Sequence, residues 1–246
     1  MLLLFFFKDE FTGQETFTLS EETSKHIIQV LRMKEGEQLQ LTNGKGKIIT
    51  AEIIFENKKA TEVKVLATDN RQQSTSKISI AISLIKNNSR FEWFLEKATE
   101  IGVLEIIPIL CERTEKQNFR YDRMNNILIS AMLQSQQSWL PTLHEPTKFN
   151  ELIKNSTHQE KYIAHCDESE KANLINANKK AQASQVLPMG EDLGGALICI
   201  GPEGDFTQSE IDLALQNNFV PVSLGETRLR TETAGIVAAV LLKQKH

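Results

Sequence analysis

Apolar and polar residues follow one pattern up to about residue 66 and a different pattern after residue 77. In the first part, short apolar runs are separated by turn residues such as Asn43-Gly44, which is typical of β-strands joined by hairpins. One amphipathic helix is predicted over residues 20–31. Strands are predicted over residues 38–41, 47–55 and 60–66. Four or five short strands in so few residues predict a small barrel.

The first seven residues, MLLLFFF, form an apolar run that stops at Lys8. The run lacks a basic segment before it and a cleavage site after it, so it predicts a buried strand rather than an export signal or a membrane anchor. Residues 68–76 contain no apolar side chain and are predicted to be a linker. We therefore expect an N-terminal domain over residues 1–70 and a second domain over residues 71–246.

Continuous apolar runs alternate with helical patterns in the second part, which predicts an α/β domain with a mostly parallel sheet. Strands are expected over residues 78–85, 106–110, 162–166, 196–200 and 220–223. Helices are expected over residues 89–101, 123–134 and 233–245, and another helix from Thr207. Ser89 with Glu92, and Thr207 with Glu210, have the spacing of capping boxes, and Gly102 is expected to end the first of these helices.

Composition narrows the class of protein only slightly. The net charge of −4 excludes a strongly basic coat but leaves room for a local basic face that binds nucleic acid. Cys111, Cys166 and Cys199 are odd in number, far apart and set in apolar sequence, which favours buried reduced thiols in a cytoplasmic protein. The five histidines lack metal-ligand spacing, so no metal site is expected.

Two glycine-containing segments, each placed between a predicted strand and a predicted helix, are the candidate binding loops. The first is Gly201-Pro-Glu-Gly204, and the second contains Gly225 and continues to Ala234. Loops at the carboxyl ends of parallel strands are where open α/β sheets bind ligands, so the two segments are expected to share a pocket. The alternative for the first segment is a tight turn before a capped helix. The first segment lacks phosphate-loop spacing, and its Glu203 would repel a phosphate. An adenosine carrying an amino acid is therefore a better fit as the ligand.

Several cations are candidates for contacts with nucleic-acid phosphates. The alternative for each is an ordinary surface charge. Lys86 and Arg113 each follow a predicted strand, which places them at the same sheet edge as the glycine segments. Arg228 and Arg230 alternate in the second segment, so an extended loop would project both in one direction. The candidates for nucleic-acid binding are Arg32, Lys86, Arg90, Lys97, Arg113 and Arg228.

Five segments, in order, resemble the bacterial methyltransferases that modify N3 of a uridine in 16S ribosomal RNA, members of the SPOUT (α/β-knot) methyltransferases. The most specific are Gly201-Pro-Glu-Gly204 and Leu229-Arg-Thr-Glu-Thr-Ala234. The others are HIIQVLRMKEG from residue 26 followed by NGKG from residue 43, FEWFLEKATEIGVLEIIP from residue 91, and ERT from residue 112.

The resemblance implies a PUA-like β-barrel for RNA, a SPOUT domain with a deep trefoil knot, and a homodimer in the cytoplasm. It also implies S-adenosylmethionine as the cofactor, without a metal, and 16S rRNA in the small ribosomal subunit as the partner. The cofactor would be held largely by main-chain groups of the two loops, at Ile200, Gly201, Glu203, Gly204, Leu224, Gly225 and Leu229.

The chemistry on uridine N3 requires loss of its proton and stabilisation of the resulting anion. Arg230 is the candidate for stabilising the anion. Glu232 is a candidate base, with helix capping as the alternative. The rival functions are methylation of a different RNA nucleotide by the same fold and a non-catalytic RNA-binding module.

The chain departs from the family pattern at Asp205, Thr227 and Leu133. Asp205 stands where a glycine is common, and Thr227 where an arginine is common. Leu133 replaces the usual glutamate, so from that helix only Gln134 is carried over as a candidate.

Overall fold

The computed structural model describes residues 5–11, 13–73, 77–115, 118–167, 171–177 and 195–245. Contacts within the chain separate two compact units. The first unit comprises Met1–Gln73 together with Ile129–Leu140. The second comprises Ser74–Leu128 together with Pro141–His246. The first unit is therefore discontinuous along the sequence.

The first unit is built around a five-stranded mixed sheet in the order β1-β3-β4-β5-β2. Its strands are β1 (Phe5–Phe7), β2 (Thr16–Thr18), β3 (Gln38–Thr42), β4 (Lys47–Phe55) and β5 (Glu62–Asn70). β1 pairs in parallel with β3, and the other neighbours are antiparallel. The segment 129–140 also contacts this unit. The Gly46 amide donates to Ser138 O at 2.8 Å, and Lys45 forms an isolated antiparallel β-bridge with Trp139.

Two predictions for the first unit are corrected. The helix over residues 20–31 is α1 (Glu21–Lys25) followed by a π-helical turn at His26–Val30, with Ser20 as the N-cap. The predicted linker is wrong at residues 68–70, because these polar residues continue β5 and pair with β4. Residues 1–4 of the apolar run and residues 74–76 of the predicted linker lie outside the described residues.

The second unit contains one sheet whose strand pairings are all parallel, in the order β11-β13-β10-β12-β6-β7-β8, with β9 also paired to β7. This confirms the predicted α/β class. Its longer strands are β6 (Ile78–Ser83), β7 (Glu105–Leu110), β10 (Glu160–Ala164), β12 (Ala196–Ile200) and β13 (Val220–Ser223). The two-residue strands are β8 (Thr142–Leu143), β9 (Thr147–Lys148) and β11 (Ala172–Asn173).

The remaining helices are α2 (Asn88–Ile101), α3 (Tyr121–Gln134), α4 (Phe149–Asn155), α5 (Gln208–Gln216) and α6 (Thr231–Lys245), and a 3-10 turn covers Leu174–Asn176. α6 packs against α2, β6 and β12, while α4 packs against α5. The capping box at Thr207 is confirmed, and Gly102 ends α2 in the left-handed conformation. The predicted capping box at Ser89 is wrong, because Asn87 is the N-cap and its side chain accepts from Ser89 N.

The cysteines are free thiols, and Cys111 and Cys199 are buried as expected. Cys166 is exposed, contrary to the prediction, because it lies beyond the end of β10. Within the described part of the chain, no helix is long and apolar enough to cross a bilayer. The same residues contain no cluster of histidine, cysteine, aspartate or glutamate suited to a metal ion.

Candidate functional site

The candidate loops leave the same edge of the second sheet. Ala164 in β10 is paired with Ile200 in β12 and with Val222 in β13. The segments that begin at Gly201 and Leu224 therefore start on either side of the end of β10, about 5 Å from it in each direction. The structure brings together the two segments that the sequence placed in one pocket.

The Gly201 loop folds into a tight turn in which the Asp205 amide donates to Pro202 O at 2.9 Å. Asp205 has φ of 62°, a left-handed conformation that aspartate tolerates better than most residues other than glycine. Its carboxylate accepts hydrogen bonds from Phe206 N at 2.9 Å and from Cys166 N at 2.8 Å. Aspartate therefore satisfies the backbone requirement of this position and also ties the loop to the end of β10.

Two further side chains hold the carbonyl groups of this loop. Arg113 Nη1 donates to Gly204 O at 2.7 Å, and Thr231 Oγ1 donates to Gly201 O at 3.1 Å. A Cβ atom at Gly201 would lie 3.1 Å from the Phe206 ring, so a side chain there would be crowded. The prediction for Arg113 was an RNA contact, and in the structure its guanidinium braces the loop.

The second loop reverses direction at Gly225, whose φ of 146° is unfavourable for any other residue. Ser223 Oγ donates to Gly225 O at 2.9 Å, which stabilises the turn. Leu224 and Leu229 are half-buried on either side of it. Arg228 Nη2 lies 3.5 Å from Glu203 O, a long hydrogen bond that joins the two loops.

The start of α6 places the two candidate catalytic side chains in different environments. Arg230 is exposed, and its carbonyl accepts from Ala234 N at 2.8 Å in the first turn. The Glu232 side chain is only 8% exposed, and its Oε1 lies 3.6 Å from Arg90 Nε. Glu232 Oε2 is shielded from solvent and has no hydrogen-bond partner among the described residues. Arg90, predicted to bind RNA, is thus the charge partner of Glu232.

The remaining RNA candidates are on the surface. Lys86 Nζ pairs with Glu115 at 2.8 Å, and Lys97 pairs with Glu96 and Glu100 at 2.8 Å each. Hydrogen bonds to Glu100 and Glu96 raise the pKa of Lys97, so it stays cationic. Arg32, in the first unit, is exposed and has φ of 57°, which is uncommon for arginine.

Sequence reasoning missed His165, which directly follows β10 between the two loops. The imidazole is 7% exposed, and neither ring nitrogen has a hydrogen-bond partner in the described part of the chain. The strand predicted over residues 162–166 enclosed His165, and only the observed end of β10 at Ala164 places it beside Gly201.

Comparisons with known proteins agree with this arrangement. Residues 71–243 match the model described as an RNA methyltransferase domain, and residues 19–66 match the RNA methyltransferase PUA domain. The chain belongs to the RNA methyltransferase family. This confirms the resemblance found in the sequence, and with it a PUA domain that precedes the methyltransferase domain.

Relatives and solved structures of this RNA methyltransferase family match nearly the whole chain. Ribosomal RNA small subunit methyltransferase E of Bacillus subtilis is 29% identical over 238 residues, covering 94% of this chain and 91% of the relative. A probable rRNA-methyltransferase from Porphyromonas gingivalis is 34% identical with a TM-score of 0.83, covering 99% and 98% of the two chains. The Neisseria gonorrhoeae ribosomal RNA small subunit methyltransferase E, solved bound to S-adenosyl methionine, is 27% identical with a TM-score of 0.82 and the same coverage.

Proposed function

We propose that this protein transfers a methyl group from S-adenosylmethionine to N3 of a uridine in 16S ribosomal RNA. The observation that carries the proposal is the pair of intact glycine loops at the carboxyl edge of β12 and β13, followed directly by Arg230 and Glu232. Membership of the RNA methyltransferase family supports it, as do relatives named ribosomal RNA small subunit methyltransferase E.

The residues of the two loops fit such a cofactor. Gly201, Gly204 and Gly225 have no side chain, so a ligand with hydroxyl, amino and carboxylate groups can approach the main chain of both loops closely. Bracing by Arg113 and Thr231 keeps the first loop rigid before the ligand arrives. The full set proposed to hold the cofactor is Ile200, Gly201, Glu203, Gly204, Leu224, Gly225 and Leu229.

When bound, S-adenosylmethionine supplies the electrophilic methyl group. The protein has to place the uracil N3 in line with that group and to stabilise the negative charge that spreads over O2 and O4 as the N3 proton leaves. Arg230 is exposed beside the loops, so its planar guanidinium can face one uracil carbonyl with two N–H donors. This is the role proposed for Arg230.

Glu232 is proposed to accept the N3 proton. Arg90 lies nearest to Glu232 Oε1, which leaves Oε2 as the carboxylate oxygen without a partner in the described structure. A buried carboxylate with one unpaired oxygen calls for a proton or a donor from outside the chain.

RNA affinity is assigned to the N-terminal domain, residues 1–70, and to basic residues of the second domain, residues 71–246. Arg32 supplies a cation on the first unit. Lys86, Arg90, Lys97, Arg113 and Arg228 supply cations on the second unit. With a net charge of −4, the protein is expected to hold free RNA weakly and to act on an assembled or partly assembled subunit.

A cytoplasmic homodimer and a trefoil knot in the second domain complete the proposal. The homodimer is supported by apolar side chains that α6 and α2 leave partly exposed, among them Val240 and Trp93. The knot rests on family membership alone.

The function is tested by mass spectrometry of ribosomal RNA nucleosides from cells that lack the gene. We expect 3-methyluridine to disappear from 16S rRNA and to return with the wild-type gene but not with Arg230→Ala. Loss of a different methylated nucleoside would identify another RNA target. An unchanged nucleoside profile would contradict the enzymatic role.

A further inference from the structure

His165 occupies the central position at the sheet edge that carries the candidate cofactor loops. β10 ends at Ala164, which pairs with Ile200 of β12 and with Val222 of β13. His165 is therefore level with Gly201 on one side and Ser223 on the other. Its carbonyl accepts from Lys171 Nζ at 3.0 Å, and the next amide, Cys166 N, donates to Asp205 Oδ2 at 2.8 Å. These two hydrogen bonds hold the peptide group that follows His165, and the pairings of β10 hold the backbone before it.

The imidazole has no hydrogen-bond partner among the described residues. Both ring nitrogens are shielded from solvent, and the residue as a whole is only 7% exposed. A neutral imidazole carries one N–H donor and one acceptor nitrogen, and leaving both unpaired in the interior is costly. Leucine or phenylalanine would fill the same space without that cost. A buried group of this kind, without a partner in the described part of the chain, calls for a ligand.

The surroundings keep the ring uncharged. Burial lowers the pKa of His165, and the nearby Lys171 ammonium lowers this pKa further, while the carboxylates of Asp205 and Asp167 oppose these effects. At neutral pH the ring therefore offers one donor and one acceptor to a ligand. A ribose hydroxyl, which both donates and accepts, complements such a group, whereas a carboxylate would prefer a cation and a sulfonium offers no hydrogen bond.

We propose that His165 is a binding residue for the nucleoside part of the cofactor, and that its imidazole forms a hydrogen bond with a ribose hydroxyl. The inference rests on the proposed function, because it takes the two flanking loops as the cofactor site. It adds a side-chain contact from β10 to a site otherwise built from main-chain groups of the loops after β12 and β13.

The test compares His165→Phe, which keeps a flat ring without polar atoms, with His165→Asn, which keeps a donor and an acceptor. Calorimetry with S-adenosylmethionine and S-adenosylhomocysteine should show binding weakened by about 10- to 100-fold in His165→Phe for both ligands, as for loss of a buried hydrogen bond. His165→Asn should recover part of that loss. His144→Phe, the same change at the opposite edge of the sheet, should bind like wild type.

Thermal unfolding separates binding from a purely structural role. Because no described residue pairs with the ring, His165→Phe should melt at the same temperature as wild type or higher when no ligand is present. A lower melting temperature with unchanged affinity would mean that His165 only supports the fold. In wild-type protein, the ¹⁵N resonances of the His165 ring should shift on addition of S-adenosylhomocysteine, a measurement that needs no variant.

Failure of the inference can be distinguished from failure of the proposed function. If wild-type protein binds S-adenosylmethionine and His165→Phe binds it equally well, His165 is not a cofactor residue and the function stands. If wild-type protein binds neither nucleoside, the cofactor assignment is wrong and the inference fails with it.

Discussion

Arg230 carries the sharpest test of the proposed chemistry at the level of single residues. Arg230→Ala should lower the single-turnover rate of methyl transfer by on the order of a hundredfold, as for loss of one donor to a developing oxyanion. Arg230→Lys should recover little, because a single ammonium cannot reproduce the planar fork. Cofactor affinity, measured by calorimetry, should change much less than the rate.

Arg120→Ala is the matched control, because Arg120 is another exposed arginine of the second unit, outside the candidate loops. Its single-turnover rate should equal that of wild type. An unchanged rate in Arg230→Ala, combined with weaker RNA or cofactor binding, would make Arg230 a binding residue. Catalysis would then rest on Glu232, Arg228 or main-chain groups.

Gly225 is predicted to be less tolerant of substitution than Gly204. Gly225 has a φ of 146°, so an alanine there strains the backbone although the space around it is open. A Cβ atom at Gly204 would lie 3.3 Å from Arg113 Cδ, the middle of a flexible side chain that can shift. Calorimetry should show S-adenosylmethionine affinity reduced at least tenfold in Gly225→Ala and by a few-fold at most in Gly204→Ala. Equal losses in the two variants would contradict this account.

At the level of elements, α6 approaches α2 so closely that one helix position admits only glycine. A Cβ atom at Gly235 would lie 2.6 Å from the Phe94 ring. Glycine to alanine in a helix normally stabilises by up to about 1 kcal/mol, but here overpacking should destabilise by about 1–3 kcal/mol. Urea unfolding of Gly235→Ala measures the difference. In a Phe94→Leu background, Gly235→Ala should reduce the free energy of unfolding by less than it does beside Phe94. If the effects of the two substitutions simply add, the two residues do not clash.

The amino ends of β6 and β7 carry a charged cluster at the edge opposite the candidate site. Glu105 accepts from His144 at 2.8 Å and from His158 at 3.2 Å, and Ser79 also donates to it. Burial by itself raises the pKa of Glu105, but these hydrogen bonds outweigh it and hold the pKa well below its ordinary value. The hydrogen bond to Glu105 raises the pKa of His144 above its usual 6.5.

This cluster predicts a pH dependence of stability. The raised pKa of His144 contributes stability that is complete below about pH 6.5 and is lost as the pH rises through the folded-state value. The lowered pKa of Glu105 contributes stability above about pH 4.5 that is lost in acid. His144→Gln should therefore cost most near pH 5.5, by about 0.2–1 kcal/mol for a partly exposed pair, and less at pH 8.5. Urea unfolding at both pH values tests this, and a larger cost at pH 8.5 would contradict it.

The sequence predicted the bounds of β4, β12 and β13 correctly. Of these three, β12 is buried along its whole length, whereas β4 alternates buried and half-buried residues over most of its length. The sequence prediction failed where pairing with a neighbouring strand determines the structure. Residues 68–70 are polar and continue β5 only because β4 lies beside them.

The candidate loops were predictable from the sequence, since glycine and proline define them locally. Their supports were not, because Arg113 reaches Gly204 across 91 residues and Thr231 reaches Gly201 across 30 residues. The unpaired state of His165 likewise depends on what surrounds it in space.

At the level of the whole molecule, we expect a homodimer that uses the outer face of α6. Gly235, Ala238, Ala239 and Leu242 are buried within the chain, while Val240 is 38% exposed. Light scattering at micromolar concentration should give twice the chain mass of 27.8 kDa. Val240→Asp should reduce that mass towards the monomer. Leu215→Asp, at an equally exposed apolar position on α5, should leave it unchanged, and a monomeric wild type would exclude the dimer.

The discontinuity of the first unit has a consequence during synthesis. Gln73 leaves the ribosome about 70 residues before Leu140, which corresponds to roughly 3–14 s at the usual rate of translation. During that interval Lys45 and Gly46 lack the bridge from Trp139 and the hydrogen bond to Ser138. The turn between β3 and β4 therefore exposes these backbone groups for several seconds, and this turn is where a chaperone or a neighbouring nascent chain would bind first.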